Sequence, residues 1–208
     1  MNFTLLHDVT FVALYGLAAL GAWTISERTI FYLHSLRDAR RLSRVPSGEL
    51  KVHAPGDGPK GVAGEMLEQF LAQRPALTTR HEVEDVGEAA FLGARHRLTR
   101  RLWVVDTLVT GAPLLGLLGT ILGIIDTFQA LASSGISDPG AVSRGIGTAL
   151  FATALGIAIA LVGLVANNFF QDKVERISDH LKVILLKAGQ GPVLGRSDAD
   201  QRAAVRGD

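Results

Sequence analysis

Residues 145–171 read GIGTALFATALGIAIALVGLVANNFFQ, a run of 27 positions without a charged side chain. As a helix this run would be about 40 Å long at 1.5 Å per residue, which exceeds the roughly 30 Å of a bilayer's hydrocarbon core. Charged residues bound it on both sides, Arg144 before and Asp172 after. The run therefore predicts a membrane-spanning helix rather than a buried core helix of a soluble domain.

Two further runs have the same character. Residues 9–26 carry no charge, and residues 102–125 carry only Asp106. Three runs of this kind in 208 residues predict an all-α membrane protein with three transmembrane helices. A cleaved signal sequence is the alternative for the first run, but no Lys or Arg precedes Val9, whereas such a signal has a basic start. We expect all three spans to be retained.

The basic residues predict the orientation. Of the 21 Lys and Arg residues, 13 lie between the first and second runs, seven follow the third, and only Arg144 lies between the second and third. Basic residues near the ends of spans collect on the cytoplasmic side. We therefore expect a periplasmic N-terminus and a cytoplasmic C-terminus.

The remaining segments predict helices on the cytoplasmic side of the spans. The stripe Val174, Ile177, Leu181, Ile184 and Leu185 indicates a helix that packs against neighbours, with a helix lying on the lipid surface as the alternative. Residues 80–101 read as a helix that runs directly into the second span. The predicted order is 1–26, outer N-terminus and first span; 27–101, cytoplasmic helical region with a loop at 46–61; 102–126, second span; 127–144, short periplasmic segment; 145–171, third span; 172–188, cytoplasmic helix; 189–208, disordered tail.

The sequence shows no motif typical of a catalytic, metal or phosphate-binding site. Cysteine is absent, none of the six histidines lies within a run, and no glycine pattern for phosphate binding occurs. We expect no enzyme activity, metal, cofactor or nucleic-acid partner.

The second and third runs are instead rich in Gly, Ala and Thr. Small residues four apart, such as Gly119 with Gly123 and Ala152 with Gly156, let helices approach closely in lipid. Because one chain has few helices, we expect these faces to pack against other copies, and the plainer first helix to face lipid. For each threonine, the alternative is a hydrogen bond to its own helix. The candidate pore-lining or packing residues are Pro113, Gly116, Gly119, Gly123, Thr148, Ala152 and Gly156.

Two positions interrupt the second run. Pro113 cannot donate to the Val109 carbonyl and should shape or kink the helix. Asp106 is the only carboxylate within a run, so it is a candidate for the cytoplasmic mouth of a pathway. A local ion pair with Arg100 or Arg101 is the alternative for Asp106.

Two motifs resemble those of a known family. Residues 112–123, APLLGLLGTILG, resemble the second-helix signature of ExbB and TolQ proteins in the ExbB/TolQ/MotA proton-channel family. Gly145-Ile146 together with residues 149–156, ALFATALG, resembles their third-helix signature, and Glu27-Arg28 is similar to the ending of their first helix. The sequence departs from the family pattern at Thr148, where many members have Glu, and at Val162, where many have Pro.

The resemblance implies an architecture and a function. It implies a homopentamer in the bacterial inner membrane, whose second and third helices line a pore around a dimer of a single-span, ExbD- or TolR-like partner. That partner would carry the proton on an aspartate, with Thr120 and Thr153 as the pathway threonines of this chain. The implied function is conversion of proton-motive force into work on a TonB-like protein. The alternatives are a TolQ-like envelope motor, a MotA-like stator subunit, or a non-conducting scaffold.

The two pathway threonines should lie at similar depth. Thr120 is six residues before Asp126, and Thr153 is nine residues after Arg144. At 1.5 Å per residue these positions lie roughly 9 Å and 14 Å from the ends of their spans. We expect the two hydroxyls to occupy one zone of the membrane.

Overall fold

The computed structural model describes residues 3–46, 50, 61–77, 79–134 and 139–190, and these residues are almost entirely helical. Within the described residues, five α-helices form, with a 3₁₀ turn between the second and the third. Their bounds are α1 Phe3–Arg44, α2 Val62–Gln73, the 3₁₀ turn Arg74–Ala76, α3 Arg80–Thr99, α4 Leu102–Ser134 and α5 Pro139–Gly189.

Three of the helices, α1, α4 and α5, are long and apolar enough to cross a membrane. This confirms the prediction of three helices with the length and apolar composition of membrane spans, and it is consistent with an all-α membrane protein. By contacts the chain divides into two units, Met1–Phe31 with Arg101–Asp172 and Tyr32–Arg100 with Lys173–Asp208. We call them the apolar unit and the amphipathic unit.

In the apolar unit, α1 buries one stripe of its surface. Thr10, Leu14, Gly21, Thr24 and Arg28 follow one another at steps of four, seven, three and four residues, which places them on one helix face, and all are buried. A Cβ on Gly21 would lie 3.0 Å from the Leu108 side chain of α4, so glycine allows this close packing. Between Asp8 and Phe31, most of the remaining α1 surface is uncovered by the chain.

The amphipathic unit has a compact apolar core. Leu36, Phe70 and Leu98 are buried in it, from α1, α2 and α3 respectively, and the Tyr32 hydroxyl donates to the Leu98 carbonyl at 2.7 Å. The α5 stripe predicted from the sequence is also buried here: Val174, Ile177, Leu181 and Ile184. That stripe therefore packs within the chain and does not lie on lipid.

Helix ends in this unit follow local hydrogen bonding. Thr79 and Glu82 form a capping box at the start of α3, with each side chain bonded to the other's backbone N–H at 3.2 Å and 3.1 Å. At the other end, the prediction that this helix runs directly into the second span is wrong. Arg100 and Arg101 form a turn before α4 begins, and the Val104 N–H bonds three residues back to the Arg101 carbonyl at 3.3 Å.

The helix continues past Asp126, where the second span is predicted to end. Helix α4 continues to Ser134 and α5 begins at Pro139, a residue suited to a first helical position because its nitrogen has no hydrogen to leave unpaired. The charge of Asp126 shows where the apolar run ends. The helix itself depends on backbone hydrogen bonds, which continue beyond that residue. The predicted loop at 46–61 and tail at 189–208 lie largely outside the described residues.

Candidate functional site

Helices α4 and α5 touch through their backbones at one point. A Cβ on Gly116 would lie 2.8 Å from the Ala152 carbonyl oxygen, and a Cβ on Gly156 would lie 2.5 Å from the Ala112 carbonyl oxygen. Side-chain carbons do not approach backbone oxygens so closely, so only glycine fits at these two positions. The two glycines therefore determine how closely α4 and α5 pack.

The same contact continues toward the later part of α4. A Cβ on Gly119 would lie 2.8 Å from the Ala152 Cβ, and a Cβ on Gly145 would collide with the Thr127 hydroxyl. Gly123 is buried, and its carbonyl accepts from Thr127 at 2.7 Å. The expectation that these small residues pack against other copies is therefore wrong for Gly116, Gly119 and Gly156, which pack within one chain.

The contact positions Thr120 and Thr153 opposite each other. Their hydroxyl oxygens lie within hydrogen-bond distance of one another, as the sequence predicted for two residues in one zone. Thr120 Oγ1 also reaches the Ala149 carbonyl of α5 at 3.0 Å, and Thr153 Oγ1 reaches the Gly116 carbonyl of α4 at 3.1 Å. Each hydroxyl thus faces an acceptor on the opposite helix as well as the other hydroxyl.

Hydrogen-bond accounting constrains this pair. Each threonine has one O–H to donate. Thr120 has three acceptors within reach: the Ala149 carbonyl, the Thr153 hydroxyl and, at 3.3 Å in its own helix, the Gly116 carbonyl. Thr153 has two, the Gly116 carbonyl and the Thr120 hydroxyl. A given hydroxyl can therefore serve as donor in one arrangement and acceptor in another without bearing a charge. Both side chains are half-buried in a largely apolar part of α4 and α5.

Three other predicted site residues, Thr148, Asp106 and Pro113, do not join the pair. Thr148 is exposed on α5, and its hydroxyl donates to the Arg144 carbonyl at 2.7 Å in its own helix. Asp106 is exposed on α4 and lies 14 residues before Thr120, about 21 Å along the helix. Pro113 is half-buried, and α4 remains one helix through it.

Asp106 does not form the predicted ion pair with Arg101. The Arg101 guanidinium instead pairs with Glu27 of α1. Sequence reasoning missed this link, although a signal was available: Glu27 closes the first run and Arg101 precedes the second, on the same side of the spans if the predicted topology holds. Both side chains are roughly half exposed, so the pair contributes little to stability.

The residues of this site lie within a stretch that matches a known protein family. Residues 60–183 match the model of the MotA/TolQ/ExbB proton channel family, a stretch that includes α2, α3, α4 and both threonines. The chain belongs to this family. It is accordingly a membrane protein of a proton channel family rather than of a known enzyme family.

Individual relatives within the family agree with this assignment. The chain is 41% identical over 114 residues to the biopolymer transport protein ExbB of Aquifex aeolicus, covering 54% of this chain and 72% of the relative. It is 37% identical over 124 residues to the ExbB protein of Helicobacter pylori, covering 60% and 84%. An ExbB homologue of Methanothermobacter thermautotrophicus is 30% identical over 185 residues, covering 83% of this chain but 64% of the relative's own length.

Proposed function

We propose that this chain is the proton-channel subunit of an ExbB-type complex in a bacterial inner membrane. The observation that carries the proposal is the Thr120–Thr153 hydroxyl pair between two spanning helices of a proton channel family member. A proton crossing an apolar region needs groups that donate and accept hydrogen bonds in succession. Two adjacent hydroxyls meet that need at lower cost than a charged group in the same position.

The proton carrier itself belongs to a partner in this proposal. The third run holds no charged residue, and the one carboxylate of the second run, Asp106, lies near its start. An acid at the centre of a span costs about 2.5–3.5 kcal/mol on insertion. An acid is therefore retained at that depth only where it carries protons. We propose that a single-span, ExbD- or TolR-like partner supplies an aspartate near Thr120 and Thr153.

The arrangement proposed is a homopentamer around a dimer of that partner. One chain cannot enclose a pore, and wide apolar surfaces of α4 and α5 remain uncovered by the chain. These include Leu114, Leu117, Ile121, Phe151, Val162 and Val165. Thr148 and Val162, at the two departures from the family pattern, both lie exposed on α5, where a copy, a partner or lipid can contact them.

The proposed direction of transport follows from the proposed topology, with a periplasmic N-terminus and a cytoplasmic C-terminus. Protons would move inward and yield about 2.3 kcal/mol per charge for each 100 mV of membrane potential. In the proposed complex this energy drives work on a TonB-like protein. A TolQ-like or MotA-like motor would use the same channel with another client, and a scaffold would have the packing without the conduction.

Transport by the purified complex tests the proposal. The chain would be purified with the single-span protein that accompanies it, its mass measured, and the complex reconstituted in liposomes containing a pH-sensitive dye. We expect proton uptake when a potential is applied, and none when the partner's intramembrane aspartate is replaced by asparagine. Uptake that is absent in both preparations would favour the scaffold, and a chain that purifies without any partner would contradict the proposed complex.

A further inference from the structure

One face of α1 in the amphipathic unit is lined with arginines. Leu33, Arg37, Arg40, Arg41 and Arg44 follow one another at helical spacing, and all five are exposed. We call these residues the arginine face. Among the residues that the structure describes, no carboxylate lies within ion-pair distance of its four guanidinium groups.

One face of α3, in the same unit, has the opposite charge. His81, Glu84, Asp85, Glu88 and Leu92 lie at helical spacing, and all five are exposed, with Leu92 at 54%. We call these residues the acidic face. Its carboxylates have little to hold them within the chain, because the Arg80–Glu84 pair at 2.9 Å and the His81–Asp85 pair at 3.9 Å are both solvent-exposed contacts within one helix.

The two faces match in spacing as well as in charge. Read forward along α1, the steps from Leu33 through Arg37, Arg40 and Arg41 to Arg44 are four, three, one and three residues. Read backward along α3, the steps from Leu92 through Glu88, Asp85 and Glu84 to His81 are also four, three, one and three residues. Two antiparallel helices can therefore bring each member of one face to the same height along the helix axes as a member of the other.

The match is not used inside one chain, since both faces are exposed and no ion pair joins them among the described residues. A second copy of the chain carries both faces. A contact between two different faces of identical chains is heterologous, and repeated contacts of this kind close into a ring when the rotation between copies allows it. A ring of copies is the arrangement that a central pore requires.

We propose that the arginine face of one copy docks antiparallel on the acidic face of its neighbour. Leu33 then packs on Leu92, while Arg37 lies opposite Glu88 and Arg40 opposite Asp85. Arg41 lies opposite Glu84, and Arg44 lies beside His81. This inference rests on the proposed assembly of several copies, and it specifies which surfaces those copies share.

Disulfide cross-linking tests the contact cleanly, because the chain contains no cysteine. A tagged Leu33→Cys chain would be co-expressed with an untagged Leu92→Cys chain and oxidised mildly in the membrane. We expect a disulfide-linked dimer carrying one tag, whereas the Leu33→Cys chain paired with Glu68→Cys, an exposed position on α2, should give none. A chain carrying both Leu33→Cys and Leu92→Cys should form a ladder of linked multimers.

Charge reversal provides an independent measurement. Arg37→Glu or Glu88→Arg alone should raise the share of single chains on dilution at least several-fold in native mass spectrometry, because like charges then face each other across the contact. The two changes together in one chain should restore the multimer, since each copy then presents both reversed faces.

The outcomes separate this contact from the assembly on which it rests. A multimeric native mass without a Leu33–Leu92 dimer, or with an equally strong Glu68 control, overturns this contact and leaves the assembly standing. Failure of the double reversal to restore the multimer likewise overturns the contact. A native mass of one chain for the unaltered protein overturns the proposed assembly itself.

Discussion

The hydroxyls of Thr120 and Thr153 are hydrogen-bonded to each other where α4 and α5 cross. Each also reaches a backbone carbonyl of the opposite helix, at 3.0 Å for Thr120 to Ala149 and 3.1 Å for Thr153 to Gly116. The pair can therefore join the two helices, conduct a proton, or do both. Substitutions that keep shape and remove the hydroxyl distinguish these roles.

We predict that Thr120→Val and Thr153→Val each assemble with the partner but lose proton-driven activity. Valine has nearly the shape of threonine but cannot donate or accept a hydrogen bond, so the pathway is interrupted at that position. Thr→Ser at either position retains the hydroxyl and should retain much of the activity. Proton uptake by the reconstituted complex and co-purification of the partner provide the two measurements.

A matched control is Thr24→Val in α1. The Thr24 side chain is buried, and its hydroxyl donates to the Leu20 carbonyl of its own helix at 2.8 Å. Its loss should leave proton uptake close to that of the unaltered chain. Full uptake in both Thr120→Val and Thr153→Val would instead mean that these threonines serve packing alone.

Because α4 and α5 pack so closely at Gly156, we predict that adding one methyl group there lowers stability. Gly156→Ala would place a Cβ 2.5 Å from the Ala112 carbonyl oxygen and force the helices apart, which we expect to cost about 1–3 kcal/mol. Gly147→Ala on the same helix meets nothing within 4 Å and should be neutral or slightly stabilising. Thermal unfolding of both variants in detergent compares them, and equal midpoints would show that the two helices do not pack as described.

Lys187 predicts a second stability effect, in the amphipathic unit. Its ammonium donates to the Ser43 carbonyl of α1 at 2.6 Å and to the Val45 carbonyl, one residue beyond the helix, at 3.3 Å. The last carbonyls of a helix lack partners within that helix. Lys187→Met keeps an apolar stem and should lower the free energy of unfolding by about 1–2 kcal/mol. The control, Lys182→Met, removes an exposed cation 5.4 Å from the Phe91 ring centre and should cost less, about 0.5–1 kcal/mol. A larger loss in the control would contradict the capping role.

His180 predicts a dependence of stability on pH. Burial, and then the charges of Arg40 and Arg44, lower the pKa of His180 despite the opposing charge of Asp179, and Ser43 Oγ lies 3.2 Å from its Nδ1. Because the unfolded chain then takes up this proton first, stability is highest above about pH 6.5 and falls as the pH drops from there toward the lower folded-state pKa. Unfolding midpoints from pH 8 to pH 5 should fall more steeply for the unaltered chain than for His180→Gln. Identical slopes would refute the assignment to this residue.

The proposed topology predicts where reporter fusions are active. A fusion at Ser134, between the second and third spans, should report the periplasm, and a fusion at the C-terminus should report the cytoplasm. At each position, one reporter that is active only in the periplasm and one that is active only in the cytoplasm would be fused and their activities compared. Reporting of both fusions from one side would eliminate the three-span topology.

Apolar runs and helical stripes could be predicted from the amino-acid sequence because hydropathy is a property of each residue, added along one helix. The three spanning helices and the buried stripe that includes Ile177 and Leu181 follow in this way. The common zone of Thr120 and Thr153 also follows, because residue count sets depth along a helix.

The tertiary structure decided what lies across each contact. Gly116 and Gly156 could equally have faced another copy, and only the crossing of α4 and α5 assigns them to one chain. Arg101 lies near Asp106 in sequence yet pairs with Glu27 from a distant helix. The spacing of residues along a chain determines which side chains share a helix face, but the partner of that face depends on which other helix packs there, because packing and ion pairing join residues that are distant in sequence.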